Sequence, residues 1–282
     1  PVELQAGRIQ GELKIQNIQL KQKQQNLLIF GNASGQGVQL QVPRMPLPFI
    51  NSQGKVRFQG TQLKLENVAT GYGKIPLIAN GSIDSKAGYK LAARVNSVNV
   101  ASVRETLNVK LPVPTIGEGK ADLQVVGSIT NPILFGTVAT IKEAKIDKVD
   151  FKSVSAQFEF SPVASIITFK NIQGKATVGG EVTGAGTIQF VNKIPKLNFN
   201  VTAKNVPGDA IASVYDTKPA FQIGTVSGTA QLTGSGENVQ TTVQWQAPQA
   251  TYPGSGETIV APDKSVSFRN VALSVAGGTV QI

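Results

Sequence analysis

Ser153-Val154-Ser155-Ala156-Gln157-Phe158-Glu159-Phe160 alternates polar and apolar side chains at every step. Successive side chains of a strand point to opposite faces, so this stretch has one apolar and one wet face. The pattern recurs along the chain. Ile9, Leu13 and Ile15 interleave with Gln10, Glu12 and Lys14, and Val38, Leu40 and Val42 with Gln39 and Gln41. Leu91, Ala93 and Val95, then Ala121, Leu123 and Val125, then Leu197, Phe199 and Val201, then Val243 and Trp245 continue it. Strands that are all half wet imply antiparallel sheet with one covered face, not a buried parallel sheet. Gly35-Gln36-Gly37, Ser52-Gln53-Gly54 and Lys86-Ala87-Gly88 punctuate the strands as turns, and Pro43, Pro46, Pro48, Pro112 and Pro114 mark loops or edges.

The strands also repeat in groups. Leu65-Glu66-Asn67-Val68 returns 104 residues later as Phe169-Lys170-Asn171-Ile172, and after a further 99 as Phe268-Arg269-Asn270-Val271. Val98-Asn99-Val100 matches Lys204-Asn205-Val206, and Leu123-Gln124-Val125-Val126-Gly127-Ser128 matches Ala230-Gln231-Leu232-Thr233-Gly234-Ser235. Self-similarity at about 105 residues predicts a modular array rather than a globule around one pocket. On this phase, residues 1–60 form a partial N-terminal repeat, 61–165 and 166–265 two full repeats, and 266–282 the truncated start of a third. The opening on Pro1 and the halt at Ile282, mid-pattern, suggest a piece of a longer polypeptide.

One segment per repeat breaks the two-residue period. Val100, Val103 and Leu107 share a helical face, as do Ile211, Val214 and Tyr215 behind Pro207-Gly208-Asp209. Proline in a first turn and a carboxylate near the positive dipole end suit a helix start. A short helix of about two turns is expected in each repeat, capping the apolar side of the sheet.

Composition narrows the chemistry. The 282 residues contain no Cys and no His, which removes disulfides, thiolate metal sites, His-ligated zinc and triads built on His. Glu118, Asp122, Glu143, Asp147 and Asp150 form the densest carboxylate group, but Lys142, Lys145 and Lys148 separate them, which predicts surface ion pairs rather than an acid–base pair. Gly117-Glu118-Gly119-Lys120 lacks the spacing of a phosphate loop, since Pro114 and Ala121 stand where Gly and Ser or Thr are needed. Gly179-Gly180 and Gly184-Ala185-Gly186 are expected as turns or bulges. No enzyme and no cofactor are expected. The net charge of +10 includes Lys14, Lys21 and Lys23 scattered among Gln; without interleaved aromatics it does not predict nucleic-acid binding. No apolar run approaches the ~20 residues of a membrane-crossing helix.

The fold expected is mainly β: an elongated, curled antiparallel sheet, an open half-barrel groove, with a short helix in each repeat. Its inner face would carry Leu123, Val125, Phe158, Phe160, Phe169, Phe199, Val201, Val243 and Trp245. If the sheet closes these are ordinary core; if a seam stays open they line a greasy groove for an acyl chain or an extended apolar strand.

The Asn-Val/Ile phrase, Gly81-Ser82-Ile83 with Gly186-Thr187-Ile188, and the Leu-x-Val-x-Gly-Ser phrase ending in Ile129-Thr130-Asn131-Pro132 resemble the periplasmic region of the TamB family, with its cyanobacterial and plastid relatives, among the AsmA-like proteins. The resemblance runs through nearly the whole chain. It implies a β-taco in the periplasm or intermembrane space, in a parent anchored in the inner membrane. It further implies an Omp85-type outer-membrane partner, with phospholipid acyl chains or nascent outer-membrane protein strands as clients. The competing expectation is a structural β-solenoid, such as an adhesin stalk, with a closed core. Solenoid coils of ~20–30 residues fit a period near 105 poorly.

Overall fold

The computed structural model describes residues 3–19, 25–42, 45–109, 111, 113–192, 194–216, 218–236 and 238–281. Pro43, Pro112, Lys21, Lys23 and Ile282, named above, lie outside the described residues. The described chain is mainly β, with nineteen strands in one open antiparallel sheet and two short helices.

By contacts it divides into two compact units. One comprises Pro1–Val109, Gly119–Gly136 and Ser161–Val163, the other Lys110–Glu118, Thr137–Phe160 and Ala164–Ile282. In the first, β1 (Glu3–Gln19), β2 (Gln25–Gln41), β3 (Phe49–Gly60), β4 (Gln62–Tyr72), β5 (Ile75–Asp84) and β6 (Gly88–Asn99) pair in sequence order. Helix α1 (Val100–Leu107) follows, and β8 (Glu118–Gly127) pairs with β6. The short β7 (Thr115–Ile116) belongs to the second unit, and β9 is Pro132–Thr140.

In the second unit, β10 (Ala144–Ile146) pairs with β7 and with β11 (Val149–Ser161). There follow β12 (Ile166–Ala176), β13 (Glu181–Val191), β14 (Ile194–Pro207), helix α2 (Gly208–Val214), β15 (Thr225–Ser235), β16 (Asn238–Ala247), β17 (Gly254–Val260), β18 (Val266–Val275) and β19 (Gly278–Gln281). From β12 to β19 each strand pairs with the next.

The repeated asparagines explain how these strands bend. Asn67, Asn171, Asn205 and Asn270 all have left-handed backbones, with φ of 49°, 50°, 52° and 52°. Each lies where the register slips: between Leu65 and Val68, between Phe169 and Ile172, between Ala203 and Val206, and opposite the slip between Ser255 and Glu257. The repeated phrase therefore encodes a β-bulge, which bends its strand and increases the local twist. Asn is suited to it because its short polar side chain tolerates φ > 0 better than other non-glycine residues. The backbone N–H freed by the slip finds a side chain: Asn67 donates to Asn80 Oδ1 at 2.8 Å and Asn205 to Ser227 Oγ at 3.0 Å. Asn99, the apparent counterpart of Asn205, instead caps α1 with φ −83°, its Oδ1 accepting from Ser102 N–H at 2.7 Å.

The apolar face is covered only in part. Among the described residues no side chain falls below 2% exposure, and most inward positions are half-buried. A compact globule of 29.7 kDa exposes about 11,600 Å², and two equal ones together about 14,000 Å². This chain exposes 17897 Å². The apolar stripe of β1 is uncovered, with Ile9, Leu13 and Ile15 at 50%, 47% and 62%.

Both expected helices form, with two differences. On α1, Leu107 is exposed and Thr106 is buried, its Oγ1 accepting from Lys74 N–H at 2.9 Å. Gly73 makes room, because a Cβ there would meet the Thr106 side chain. On α2, Asp209 lies in the first turn but bonds outside its helix, as described below.

Gly179 and Gly180 form a turn with φ of 108° and 87°. Gly184 and Gly186, expected in a turn or bulge, lie inside β13 on either side of Ala185, opposite the bulge at Asn171. Gly186 is also needed beside a ring, because a Cβ there would overlap the side chain of Phe199.

Candidate functional site

A trough lies on the apolar face of β14–β16. Register places Val201, Ala230 and Val243 in one row, and Ala203, Gly228 and Trp245 in the next. In both rows the middle strand carries the smallest side chain or none, so the floor is low, with Val201 and Val243 beside it in one row and Trp245 on one side in the other. Gly228 is held to that role, since a Cβ there would run into the Gln244 carbonyl.

Helix α2 and the segment leading into β15 cover the trough. Gly208, Ile211 and Ala212 face it from the helix, with Val206, Ile223 and Val226 closing the end. The half-open cavity they line is ≈ 380 Å³, within the range of small-molecule sites. Ser227 and Thr229 are the polar side chains in its lining, and the Ser227 hydroxyl is occupied by the Asn205 N–H.

Trp245, the single Trp of the chain, is fixed in the wall. Its Nε1–H donates to Thr258 Oγ1 at 2.9 Å, and Gly256 on the adjoining strand leaves room for the ring. With its polar atom satisfied, the indole presents apolar surface to the cavity. Beyond the trough the apolar stripe continues to Phe199, whose ring lies 6.0 Å from that of Phe169.

The two ends of α2 are held differently. At the amino end, the Asp209 carboxylate accepts from Ile223 N–H at 2.9 Å and Gly224 N–H at 2.8 Å, and Gly208 N–H donates to Gly224 O at 2.7 Å. The bonds from Ile223 and Gly224 hold the Asp209 carboxyl below its ordinary pKa, because they favour the ionised form. At the carboxyl end the chain reaches the β10–β11 turn. There Tyr215 Oη donates to Asp147 Oδ2 at 2.6 Å, and Lys148 Nζ lies 2.9 Å from Asp216 Oδ2 and 5.7 Å above the Tyr215 ring. Partial burial, then the hydrogen bond and charge of Asp147, push the Tyr215 hydroxyl up to about 12.

Of the inner-face residues expected from sequence, Val201, Val243 and Trp245 line the cavity. Phe169 and Phe199 stack beside it. Phe158 and Phe160 are half-buried on β11, outside the cavity lining. Leu123 and Val125 are half-buried on β8, in the other unit. The residues that sequence reasoning passed over are small, Gly228, Ala203 and Ala230; their signal was the cross-strand register, which alternation alone does not supply. The carboxylates grouped in sequence lie apart with separate partners: Glu118 with Lys142 at 2.8 Å, Asp122 with Arg94 at 2.8 Å, Asp150 with Lys145 at 3.7 Å, and Asp147 with Tyr215.

No protein-family model matches the chain, and no solved structure does. Two curated plant proteins are similar over almost its whole length. Protein TIC236, chloroplastic, from Arabidopsis thaliana is 21% identical over 94% of this chain. Protein SUBSTANDARD STARCH GRAIN 4, chloroplastic, from Oryza sativa subsp. japonica is 24% identical over 95% of it. The chain spans 14% of the length of either relative.

Proposed function

We propose that this chain is a length of a TamB-type, envelope-spanning protein, and that the trough beneath α2 shelters the apolar part of a phospholipid from water. The observation that carries the reading is the apolar cavity between Trp245 and α2, in a sheet whose inner face is otherwise half open. Removing apolar surface from water contributes roughly 0.8 kcal/mol per buried methylene, so even a partly sheltered chain is held. The similarity to two chloroplast proteins, and the resemblance of the repeats to TamB, support a place between two membranes with an outer-membrane partner of the Omp85 type.

The second reading, a nascent outer-membrane strand as client, fits this site less well. β14, β15 and β16 are each paired on both sides, so the trough offers no open ladder. A peptide lying there would bury N–H and C=O groups without partners, at roughly 1–3 kcal/mol each. An alkyl chain brings no such groups. A closed stalk core fits poorly with an inner face on which no described side chain is fully buried.

Native mass spectrometry of the purified chain, together with binding of a fluorescent fatty acid, tests the reading. Co-purified phospholipid, and probe binding lost in Ala230→Leu at unchanged fold, are the expected results. Equal binding by Ala230→Leu and wild type would remove the cavity from consideration. Crosslinking to an unfolded outer-membrane protein, without lipid, would favour the strand reading.

A further inference from the structure

We propose that α2 is a hinged gate over the trough: its amino end is the fixed side, its carboxyl end is a releasable latch, and an apolar chain enters or leaves when the latch opens. The proposal rests on the trough being an apolar-chain site, and adds how access to it is controlled.

The asymmetry of the two ends carries it. At the hinge, three hydrogen bonds join Gly208 and Asp209 to backbone atoms of Ile223 and Gly224, and two of them end on a carboxylate. Charge-assisted bonds to backbone are roughly twice as strong as neutral ones. Gly208 is buried, and a Cβ there would overlap the Ile223 side chain, so the helix start is packed against the strand entry. Nothing at this end can be withdrawn without breaking main-chain contacts.

The latch contacts of Tyr215, Lys148 and Asp216 are between side chains that face water. Tyr215 is 42% exposed, and the Lys148 and Asp216 side chains are 50% and 86% exposed. The exposed Lys148–Asp216 pair is screened by water and adds little, so the latch rests mainly on the Tyr215–Asp147 bond. The latch also spans a distance along the sheet. α2 leaves from β14, whereas Asp147 and Lys148 belong to the β10–β11 turn, with β12 and β13 lying between in the pairing order. Ile211 and Ala212 of the strap line the trough. Swinging the strap about Gly208 would carry away Ile211 and Ala212, which roof the cavity, and would leave the floor of Val201, Ala230 and Val243 in place.

The absence of native Cys and the single Trp in the wall make the test direct. Lys148→Cys with Asp216→Cys, joined by a short bis-maleimide, locks the latch; Tyr215→Phe with Lys148→Gln releases it. Two readouts are taken: acrylamide quenching of Trp245 without ligand, and stopped-flow entry and exit of a fluorescent fatty acid. Release should raise quenching and speed exchange about three- to tenfold, the factor expected for losing roughly 1 kcal/mol of surface contacts. The lock should lower quenching and slow exchange by at least about tenfold, equivalent to holding the latch by a further ~1.4 kcal/mol. Circular dichroism confirms that all variants fold. Identical quenching in locked, wild-type and released proteins overturns the gate, whatever the probe does. Quenching that follows the latch while no variant binds the probe keeps the gate and overturns the apolar-chain reading.

Discussion

Phe169 and Phe199 pack ring to ring at 6.0 Å although they stand on strands β12 and β14, with β13 between them. The contact passes over Gly186, which the register places directly opposite both residues. A missing side chain on the middle strand thus lets two aromatic groups meet across it, as Gly228 and Ala230 open the trough in the neighbouring strands.

Gly186→Val should separate the two rings. The new side chain would overlap Phe199 and force it off its rotamer, a change that typically costs about 1–3 kcal/mol. Urea unfolding should show a lower midpoint at an unchanged slope, and the loss should be smaller in a Phe199→Ala background, where the added methyls have room.

The bulge asparagines give a paired prediction. At Asn171, φ 50°, a β-branched residue should cost about 1–2 kcal/mol for the left-handed backbone, whereas glycine should be close to neutral. Denaturant midpoints of Asn171→Val and Asn171→Gly measure it. Equal losses in the two variants would mean that Asn171 matters through its side-chain bond from Nδ2 to Gln157 Oε1, at 2.9 Å, rather than through its backbone.

Asp209 predicts acid sensitivity of α2. Its native pKa is depressed by the N–H groups of Ile223 and Gly224, so the unfolded chain takes up the proton more readily. The stabilisation is therefore present above the unfolded value of about 4 and is lost as pH falls through the depressed native value. Thermal midpoints measured through this range should fall more steeply for wild type than for Asp209→Asn, which cannot titrate.

Tyr215 predicts the opposite limb. Its hydroxyl donates to Asp147 and titrates at about 12, so its contribution is complete below the unfolded tyrosine value of about 10 and is lost as pH rises towards 12. Burial pushes the Tyr72 hydroxyl up as well, so tyrosinate absorbance should show late-titrating groups of which one is lost in Tyr215→Phe while that of Tyr72 remains.

The strand content and the placing of both helices were legible because alternation and its interruption are local signals. The alternation around Phe158 and Phe160 was read as strand for that reason, and both lie on β11. The bulges were not legible, although their asparagines were the most conspicuous repeated residues: a bulge is defined by two residues facing one, and the partner strand lies outside the phrase. The need for glycine at Gly186 was not legible for a related reason: it depends on Phe199, which approaches from another strand. The trough is a register effect of the same kind, and the latch joins residues 68 positions apart through exposed side chains with no sequence signature.

A half-buried Val or Phe contributes about 1 kcal/mol where a fully buried one contributes about twice that, so no single cluster dominates cohesion in either unit. Such a fold yields by fraying. Amide hydrogen exchange should report openings of a few strands at a time, each with its own free energy, instead of one concerted event. A sheet of this kind can part at one rung and re-zip while its distant strands remain paired.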